Sequence, residues 1–204
     1  MKKIIKERAV QVNLQHHWEQ MNSAGKFSMR KTYQMLMEDN QTVSWHGLMK
    51  KNLARPRERI TLWLLCHGHL STKDRLCRFG IIDSSMCSMC GQEEETADHV
   101  FFSCIKTAGI WQGVLNWIGS SHSPQPWSID LQRFLDRTKG KGWRTRLFQL
   151  ALTETVHEVW LYRNSIVFCK EDTSKNIIDS IIDRIVYRGW KNRKIGLQLA
   201  NLML

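Results

Sequence analysis

Four residues with metal-ligating side chains lie close together, and their spacing constrains this chain more than any other feature. The segment CSMCGQEEETADHVFFSC follows the pattern C-x2-C-x8-H-x4-C, and its candidate ligands are Cys87, Cys90, His99 and Cys104. Zinc takes four nitrogen or sulfur ligands in a tetrahedron, and sites with four protein ligands are structural. The pattern therefore predicts a structural Zn²⁺ site. The alternative is that the four side chains are unligated neighbours.

The use of cysteine favours a metal over disulfides. Three of the six cysteines fall in this one segment. The first residues, MKKIIKERAVQ, lack the apolar core of a secretory signal. No apolar run approaches the roughly 20 residues that span a membrane. We therefore expect a nuclear or cytoplasmic protein without membrane contact, in which thiols stay reduced and clustered cysteines bind metal.

Charge is distributed unevenly around the predicted zinc segment. The chain has a formal net charge of +11, yet residues 81–104 carry five acidic and no basic side chains. Glu93, Glu94 and Glu95 lie between the ligand pairs and are expected to form a solvated face that repels phosphate. We expect the zinc to order the chain while the basic flanks bind an acidic partner, nucleic acid before anionic membrane.

Three clusters of basic residues are the candidates for contacting nucleic acid. Trp143, in the second cluster, would offer a stacking surface beside cations. Each cluster alone is more often a solvated face, but three together favour weakly sequence-specific binding of RNA or DNA. The clusters are Lys50, Lys51, Arg55, Arg57 and Arg59; Lys139, Lys141, Trp143, Arg144 and Arg146; and Arg188, Lys191, Arg193 and Lys194.

Apolar periodicity predicts a mainly α fold, with a small helical domain organised around the Cys3His site and a C-terminal helical segment. Ile60, Trp63, Leu64 and His67 have helical spacing after Pro56, and a long helix is expected over 143–169. Ser71 or Thr72 should begin a short helix that ends before Gly80, with Leu76 and Phe79 facing inward. The nine tryptophans are expected mainly in the core.

The predicted domains are an N-terminal extension (1–26), a zinc-binding domain (27–119), a linker (120–128) and a C-terminal helical region (129–204).

The order of several motifs resembles a known family. These are FSMRKTYQML, Trp45, Pro56, Trp63, LSTKDRLCRFG, the cysteine–histidine cluster and Trp111. Together they resemble the zinc-binding domain that follows the reverse transcriptase of plant LINE-type (non-LTR) retrotransposons. HEVWLYRNSIVF (157–168) is similar to the W-x-x-R-N-x-x-x-F stretch that often follows that domain. The resemblance implies that the cluster binds metal and that the parent protein is an RNA-directed DNA polymerase. Thr61 and Val100 stand where the family has Phe and Leu.

Catalytic patterns are missing from the sequence. It has no Y/F-x-D-D motif, no carboxylate set of an endonuclease or RNase H, and no G-x-S-x-G; KGKGWRTR lacks the spacing of a phosphate-binding loop. A closed four-ligand shell also argues against a catalytic zinc. We therefore expect that the chain is not an enzyme. It looks like a C-terminal fragment of a retroelement protein, or the product of a host gene descended from one.

Two alternatives stay open at this point. Cys66, His67 and His69, with Cys77, could form a second metal site, but without a C-x2-C turn a core cysteine and exposed histidines are favoured.

The function expected first is a non-catalytic, zinc-binding nucleic-acid module that acts near a reverse transcriptase polypeptide. The rivals are a zinc-stapled protein-interaction scaffold and a retroelement remnant without function. The sequence does not distinguish RNA from DNA or indicate an oligomeric state.

Overall fold

The computed structural model describes residues 22–23, 26–27, 29, 43–120, 125–169 and 176–202. The chain divides into two compact units, Met1–Val43 and Ser44–Leu204. In the first unit, strands β1 (Asn22–Ser23) and β2 (Lys26–Phe27) pair antiparallel. Most of the predicted N-terminal extension lies outside the described residues.

The second unit is built from helices, which confirms the prediction of a mainly α fold. Among its described residues, the strand-like pairing is limited to a single-residue antiparallel bridge between Met86 and Glu94. Two π-helical turns cover His99–Ser103 and Ser165–Cys169. The α-helices are α1 (His46–Met49), α2 (Pro56–Cys66), α3 (Lys73–Arg78), α4 (Ala108–Trp117), α5 (Trp127–Thr138), α6 (Trp143–Asn164), α7 (Ile177–Trp190) and α8 (Arg193–Leu202).

Local signals explain where several helices begin and end. Pro56 is the first residue of α2, where its missing N–H costs nothing, and the Glu58 side chain accepts a 2.6 Å hydrogen bond from the Arg55 N–H. Thr72 is the N-cap of α3, as predicted, and Gly80 follows that helix with φ +68°, a conformation that favours glycine. Helix α6 and its π-helical extension together cover the predicted span 143–169.

Helix α6 is the centre of the second unit. It packs against α2, α4, α5, α7 and α8, so residues 147–157 are buried on every side. Buried polar groups on this helix therefore need partners. The Gln149 amide donates to the Gly47 carbonyl (2.7 Å), and the Asn52 amide donates to the Thr153 hydroxyl (2.7 Å). These bonds attach the loop around α1 to the middle of the core.

An aromatic cluster joins helices on both sides of the predicted linker. Phe134 of α5 contacts Phe148 of α6 and Trp111 of α4, at ring-centroid distances of 5.3 and 5.8 Å. Trp127 stacks on Phe102, which follows the metal-ligand candidate His99 (5.3 Å between centroids). The described residues of the second unit thus share one core. The predicted limits of the zinc-binding domain, the linker and the C-terminal region remain predictions.

Several side chains face the opposite way from the sequence expectation. Helix α2 buries Glu58, Leu62 and Leu65, while Ile60 and Trp63 are 56% and 42% exposed. The reason is that Glu58 pairs with a buried arginine, which turns the helix about one position away from its most apolar stripe. Phe79 is also exposed, at 66%. Among the described tryptophans, Trp111 is fully buried and Trp190 is 62% exposed, so the expectation of a core role holds only in part.

Candidate functional site

The structure brings together the four side chains that the sequence pattern singled out. The candidate ligand atoms of Cys87, Cys90, His99 and Cys104 all lie within 4.8 Å of one another. The Cys90 Sγ and His99 Nε2 atoms are 3.3 Å apart, close to the roughly 3.5 Å that separates two ligands of one tetrahedral Zn²⁺. Three of the four residues are buried. Such a group could hold one zinc ion.

Short-range backbone bonds shape this cluster. Cys87 N–H donates to the Glu93 carbonyl (2.8 Å), which closes the loop between the two ligand pairs. Gly91 turns the chain there with φ +66°. The Thr96 hydroxyl accepts a 3.0 Å bond from His99 N–H, the first residue of the turn that carries the histidine. Cys104 N–H donates to the His99 carbonyl (2.7 Å), which brings the fourth sulfur back to the site.

Glu93 orients the histidine of the cluster. Its Oε2 atom lies 2.9 Å from His99 Nδ1, so the ring presents Nε2 to the sulfur atoms. A carboxylate on the far nitrogen of a metal-binding histidine selects the tautomer and makes the ring a better ligand. Glu93 is exposed, as expected of a solvated face, and it also contacts the histidine of the cluster.

A hydrogen bond joins two thiols of the cluster, Cys87 and Cys104. The hydrogen bond from Cys104 lowers the pKa of Cys87 to about 4, and the same bond raises the pKa of Cys104. A thiolate is the form that binds metal. The hydrogen bond from Cys104 therefore favours the thiolate form of Cys87.

Glu95 is buried and paired with an arginine of α6, which is distant in sequence. Both Nε and Nη2 of Arg163 contact Glu95 Oε1, the Nε at 3.0 Å, and the two side chains are 1% and 0% exposed. Glu95 Oε1 also accepts a 3.0 Å bond from the Lys73 N–H at the start of α3. This carboxylate therefore connects the ligand loop to α3 and α6, and it contradicts the expectation of a solvated glutamate run.

The W-x-x-R-N-x-x-x-F stretch has a structural explanation. The guanidinium of Arg163 lies 4.9 Å from the ring of Trp160 and 6.0 Å from the ring of Phe168. Asn164 accepts a 2.9 Å bond from Arg163 Nη1. The motif holds one arginine in position for Glu95. Sequence reasoning missed both residues of this pair, although the motif itself was the available signal.

A second metal site at Cys66, His67 and His69 is not supported. Within the described part of the chain, no other group of three His, Cys, Asp or Glu side chains converges on one point. His67 instead packs against Trp63 (4.3 Å between ring centroids) and Trp45 (4.8 Å). Burial raises the pKa of Cys66 to about 12, which makes it a poor metal ligand.

Two of the three predicted basic clusters meet in one depression, here called the basic cleft. Its volume is about 520 Å³. It is lined by Gly47, Lys50, Lys51, Thr138, Lys139, Gly140, Lys141, Thr145, Arg146 and Gln149. No acidic side chain lines it among the residues that the structure describes. Asp136 nevertheless lies near its edge and pairs with Lys139 (2.6 Å). The cleft joins cations that are about 90 positions apart in the chain.

The remaining basic candidates lie apart from one another. Arg55 and Arg57 are exposed and Arg59 is half-buried at the start of α2. Trp143 and Arg144 lie at the start of α6, with the guanidinium 5.1 Å from the indole. In the third cluster, Lys191 and Arg193 are exposed. The side chain of Lys194 lies outside the described residues.

Arg188 corrects the sequence expectation. It is 7% exposed and forms ion pairs with Glu58 and Glu154, so it is not available to a phosphate. Burial would raise the pKa of Glu58, but bonds from Arg188 and the Arg55 N–H outweigh burial and lower that pKa to about 2. Burial and the neighbouring charge of Glu58 raise the pKa of Glu154 to about 7. Two buried carboxyls thus share one cation, and their pKa values are shifted in opposite directions.

These features define a helical unit organised around a Cys3His group that could hold zinc, with a basic cleft on its surface. Residues 27–111 match the zf-RVT family model, described as zinc-binding in reverse transcriptase. The match contains all four candidate ligands and stops before the Arg163 motif. It supports the resemblance found in the sequence for the zinc-binding domain. No curated protein and no solved structure matches the chain. No described helix is both long and apolar enough to cross a membrane.

Proposed function

We propose that this chain is a non-catalytic nucleic-acid-binding module in which one structural Zn²⁺ orders the ligand loop and the basic cleft contacts phosphates. A plant LINE-type (non-LTR) reverse transcriptase protein is the proposed origin, and that polypeptide is a candidate partner. Thiolate ligands fit a reducing nuclear or cytoplasmic location.

The basic cleft is the observation that carries this proposal. Lys50 and Lys51 follow α1, while Lys139, Lys141 and Arg146 flank the junction of α5 and α6. Folding therefore concentrates five cations in one concave surface. Cations grouped in a cleft raise the local potential and attract a polyanion more strongly than the same charges scattered over a surface. Phosphate contacts of this kind are independent of base sequence and weaken steeply with salt.

The proposed zinc is structural because the protein supplies four ligands. Three thiolates and one imidazole close a tetrahedral shell, whereas catalytic zinc usually keeps a position for water or substrate. The acidic ligand loop, with Glu93 and Glu94 exposed, would repel phosphate. The loop would thus order the fold while nucleic acid binds elsewhere on the unit.

A salt series with a charge-neutralised cleft tests the proposal. The full chain, loaded with zinc, is titrated into labelled single-stranded RNA, single-stranded DNA and duplex DNA. The KCl concentration is varied from about 50 to about 300 mM, because binding through phosphate contacts weakens steeply over this range. The cleft variant combines Lys50→Gln, Lys139→Gln and Lys141→Gln. For single-stranded RNA, we expect the slope of log K against log salt to fall by about 2, since each phosphate contact contributes roughly 0.7.

The matched control has the same change in net charge outside the cleft, at three exposed cations: Lys106→Gln, Lys191→Gln and Arg193→Gln. We expect it to retain most of the slope. Equal losses in both variants would show that cations outside the cleft contribute as much as those in it, and that the cleft is not the main contact. A folded, zinc-loaded chain without affinity for any of the three nucleic acids at 50 mM KCl, a concentration of about the low-salt limit, would refute the proposal.

A protein-interaction scaffold is the second candidate, and one surface favours it. Met49, Pro56, Ile60 and Trp63 line a shallow, mainly apolar groove of about 290 Å³ beside Arg59. Exposed apolar patches of this type often contact other proteins. Failure of the nucleic-acid experiment would make this groove the next surface to test.

A further inference from the structure

Beside the basic cleft lies a second concavity, here called the aromatic pocket. Its volume is about 560 Å³, and its walls include Ile118, Ser120, Arg137, Trp143, Arg144 and Phe148. Thr145 lines both the aromatic pocket and the basic cleft, so the two depressions are adjacent on the surface. The pocket is therefore within reach of an extended ligand that occupies the cleft.

Planar groups and hydrogen-bond donors meet in this pocket. Trp143 is half-buried at the first residue of α6, and the guanidinium of Arg144 lies 5.1 Å from its ring centroid. The guanidinium of Arg137 lies 5.2 Å from the Phe148 ring and donates to the Ser120 hydroxyl at 2.9 Å. Two arginines thus lie against two aromatic rings. The rings and guanidiniums offer stacking surfaces, and the remaining N–H groups offer donors.

This chemistry fits a nucleobase better than a phosphate. Aromatic rings and arginine planes stack on the π-face of any base, and arginine donors match the acceptors on base edges. In a duplex, each base is stacked and paired, so its faces do not reach into a concave pocket. A base can enter only if it is unpaired, as in single strands, loops and flipped nucleotides.

We propose that the aromatic pocket takes one unpaired base of a single-stranded nucleic acid whose phosphates follow the basic cleft. The inference rests on the proposed function and gives it a substrate preference. Trp143 supplies the stacking surface, and Arg137 and Arg144 supply donors at the base edge. Single-stranded RNA or DNA should accordingly bind more tightly than a duplex of the same charge.

The experiment compares base stacking with phosphate binding on the full, zinc-loaded chain. The probes are a single-stranded RNA of twelve nucleotides containing 2-aminopurine, the same strand with abasic sites, and a hairpin duplex with the same number of phosphates. We expect Trp143→Ala to weaken single-strand binding about 5- to 150-fold, the range of one lost stacking contact. We expect it to leave duplex and abasic binding within about twofold and to abolish quenching of 2-aminopurine.

Two further variants keep the result interpretable. Trp143→Phe retains a stacking ring and should keep most of the affinity and the quenching. Trp63→Ala removes another partly exposed tryptophan, outside the pocket, and should change neither. Circular dichroism and zinc content check that each variant is folded. If Trp143→Ala is unfolded, the comparison of the normal and abasic strands on the unaltered chain still decides the question.

The outcomes separate this inference from the proposed function. Equal affinity for normal, abasic and duplex probes, combined with loss of binding in the cleft variant, would overturn the base pocket and leave the nucleic-acid module standing. Loss of quenching in Trp63→Ala instead of Trp143→Ala would also overturn it. No binding of any probe by the unaltered chain would overturn both.

Discussion

Arg163 of α6 forms a buried ion pair with Glu95 of the ligand loop, 68 positions earlier in the chain. Glu95 lies four residues before His99, and Arg163 belongs to the last turn of the central helix. The candidate metal centre is therefore supported from outside the segment that contains its ligands. The C-terminal helices should thus matter for metal binding as well as for the core.

Breaking this pair should destabilise the whole unit. Arg163→Gln leaves Glu95 charged and buried without a cation, a change that typically costs about 3–5 kcal/mol. We expect a lower midpoint in urea and faster loss of zinc to a chelator. The control is Arg184→Gln, which breaks the more exposed pair with Glu158, where Arg184 is 35% exposed. If Arg163→Gln is as stable as the unaltered chain and keeps zinc equally well, the ion pair does not support the fold or the candidate metal centre.

Glu93 should tune metal affinity. Glu93→Gln removes the carboxylate from His99 Nδ1, and loss of such a partner usually lowers affinity for the metal about 10- to 100-fold. Glu94→Gln is the matched control, because Glu94 is the exposed neighbour in the same loop. Competition against a chelator of known zinc affinity measures both. If the two variants lose zinc equally, loop charge and not the contact with His99 is responsible.

Glu154 should make the folded state less stable as pH rises. Its pKa is raised to about 7 by burial, from 4.5, so the folded protein holds this proton where the unfolded chain has lost it. Stability from this group is complete below about pH 4.5 and lost as pH rises through about 7. We therefore expect Glu154→Gln to be more stable than the unaltered chain at pH 8 by about 2 kcal/mol, and the difference to shrink toward pH 5.

Glu58 should behave in the opposite way. Its pKa is lowered to about 2, so its stabilising effect is present above about pH 4.5 and lost as pH falls through about 2. Glu58→Gln should therefore be less stable than the unaltered chain at pH 8. Urea unfolding of both variants and the unaltered chain at pH 5, 6.5 and 8, values that lie on both sides of the Glu154 pKa of about 7, measures the pair. If Glu154→Gln lowers the free energy of unfolding at every pH, the account in which Glu58 and Glu154 share one cation is contradicted.

The contact between α7 and α8 can be tested with a pair of glycines. A Cβ on Gly189 would collide with the Leu199 side chain and press on Ile195. We expect Gly189→Ala to cost about 1–3 kcal/mol, the usual range for overpacking. A Cβ on Gly109 of α4 would meet no atom of the described residues within 4 Å, so Gly109→Ala should be neutral or stabilise by up to about 1 kcal/mol. Thermal unfolding measures both, and equal effects would argue against tight packing of α8 on α7.

Much of the architecture was predictable because its signals are local. The C-x2-C-x8-H-x4-C spacing brings four ligand candidates into reach within one short segment, and the capping residue Thr72 lies beside the helix that it begins. The long helix over 143–169 was predictable from apolar residues alone. Each of these predictions needs only residues that are near one another in sequence.

The errors arose where the answer depends on a distant partner. Arg188 has basic neighbours in sequence, but its ion pairs are with Glu58, 130 positions earlier, and with Glu154 in α6. The same pairing turns α2 so that Glu58 is buried and Trp63 is partly exposed. The glutamate run has three different environments, because Glu93 is exposed but contacts His99, Glu94 is exposed, and Glu95 is buried against Arg163.

X-ray absorption spectroscopy at the zinc edge tests the central claim most directly, namely that Cys87, Cys90, His99 and Cys104 close the shell of one structural zinc. On the purified full chain, we expect one zinc per molecule, with three sulfur atoms at about 2.3 Å and one nitrogen at about 2.0–2.1 Å. Cys104→Ser should replace one sulfur by a lighter atom. A chain that is folded without zinc, or a shell of oxygen and nitrogen with an open water position, would contradict the account.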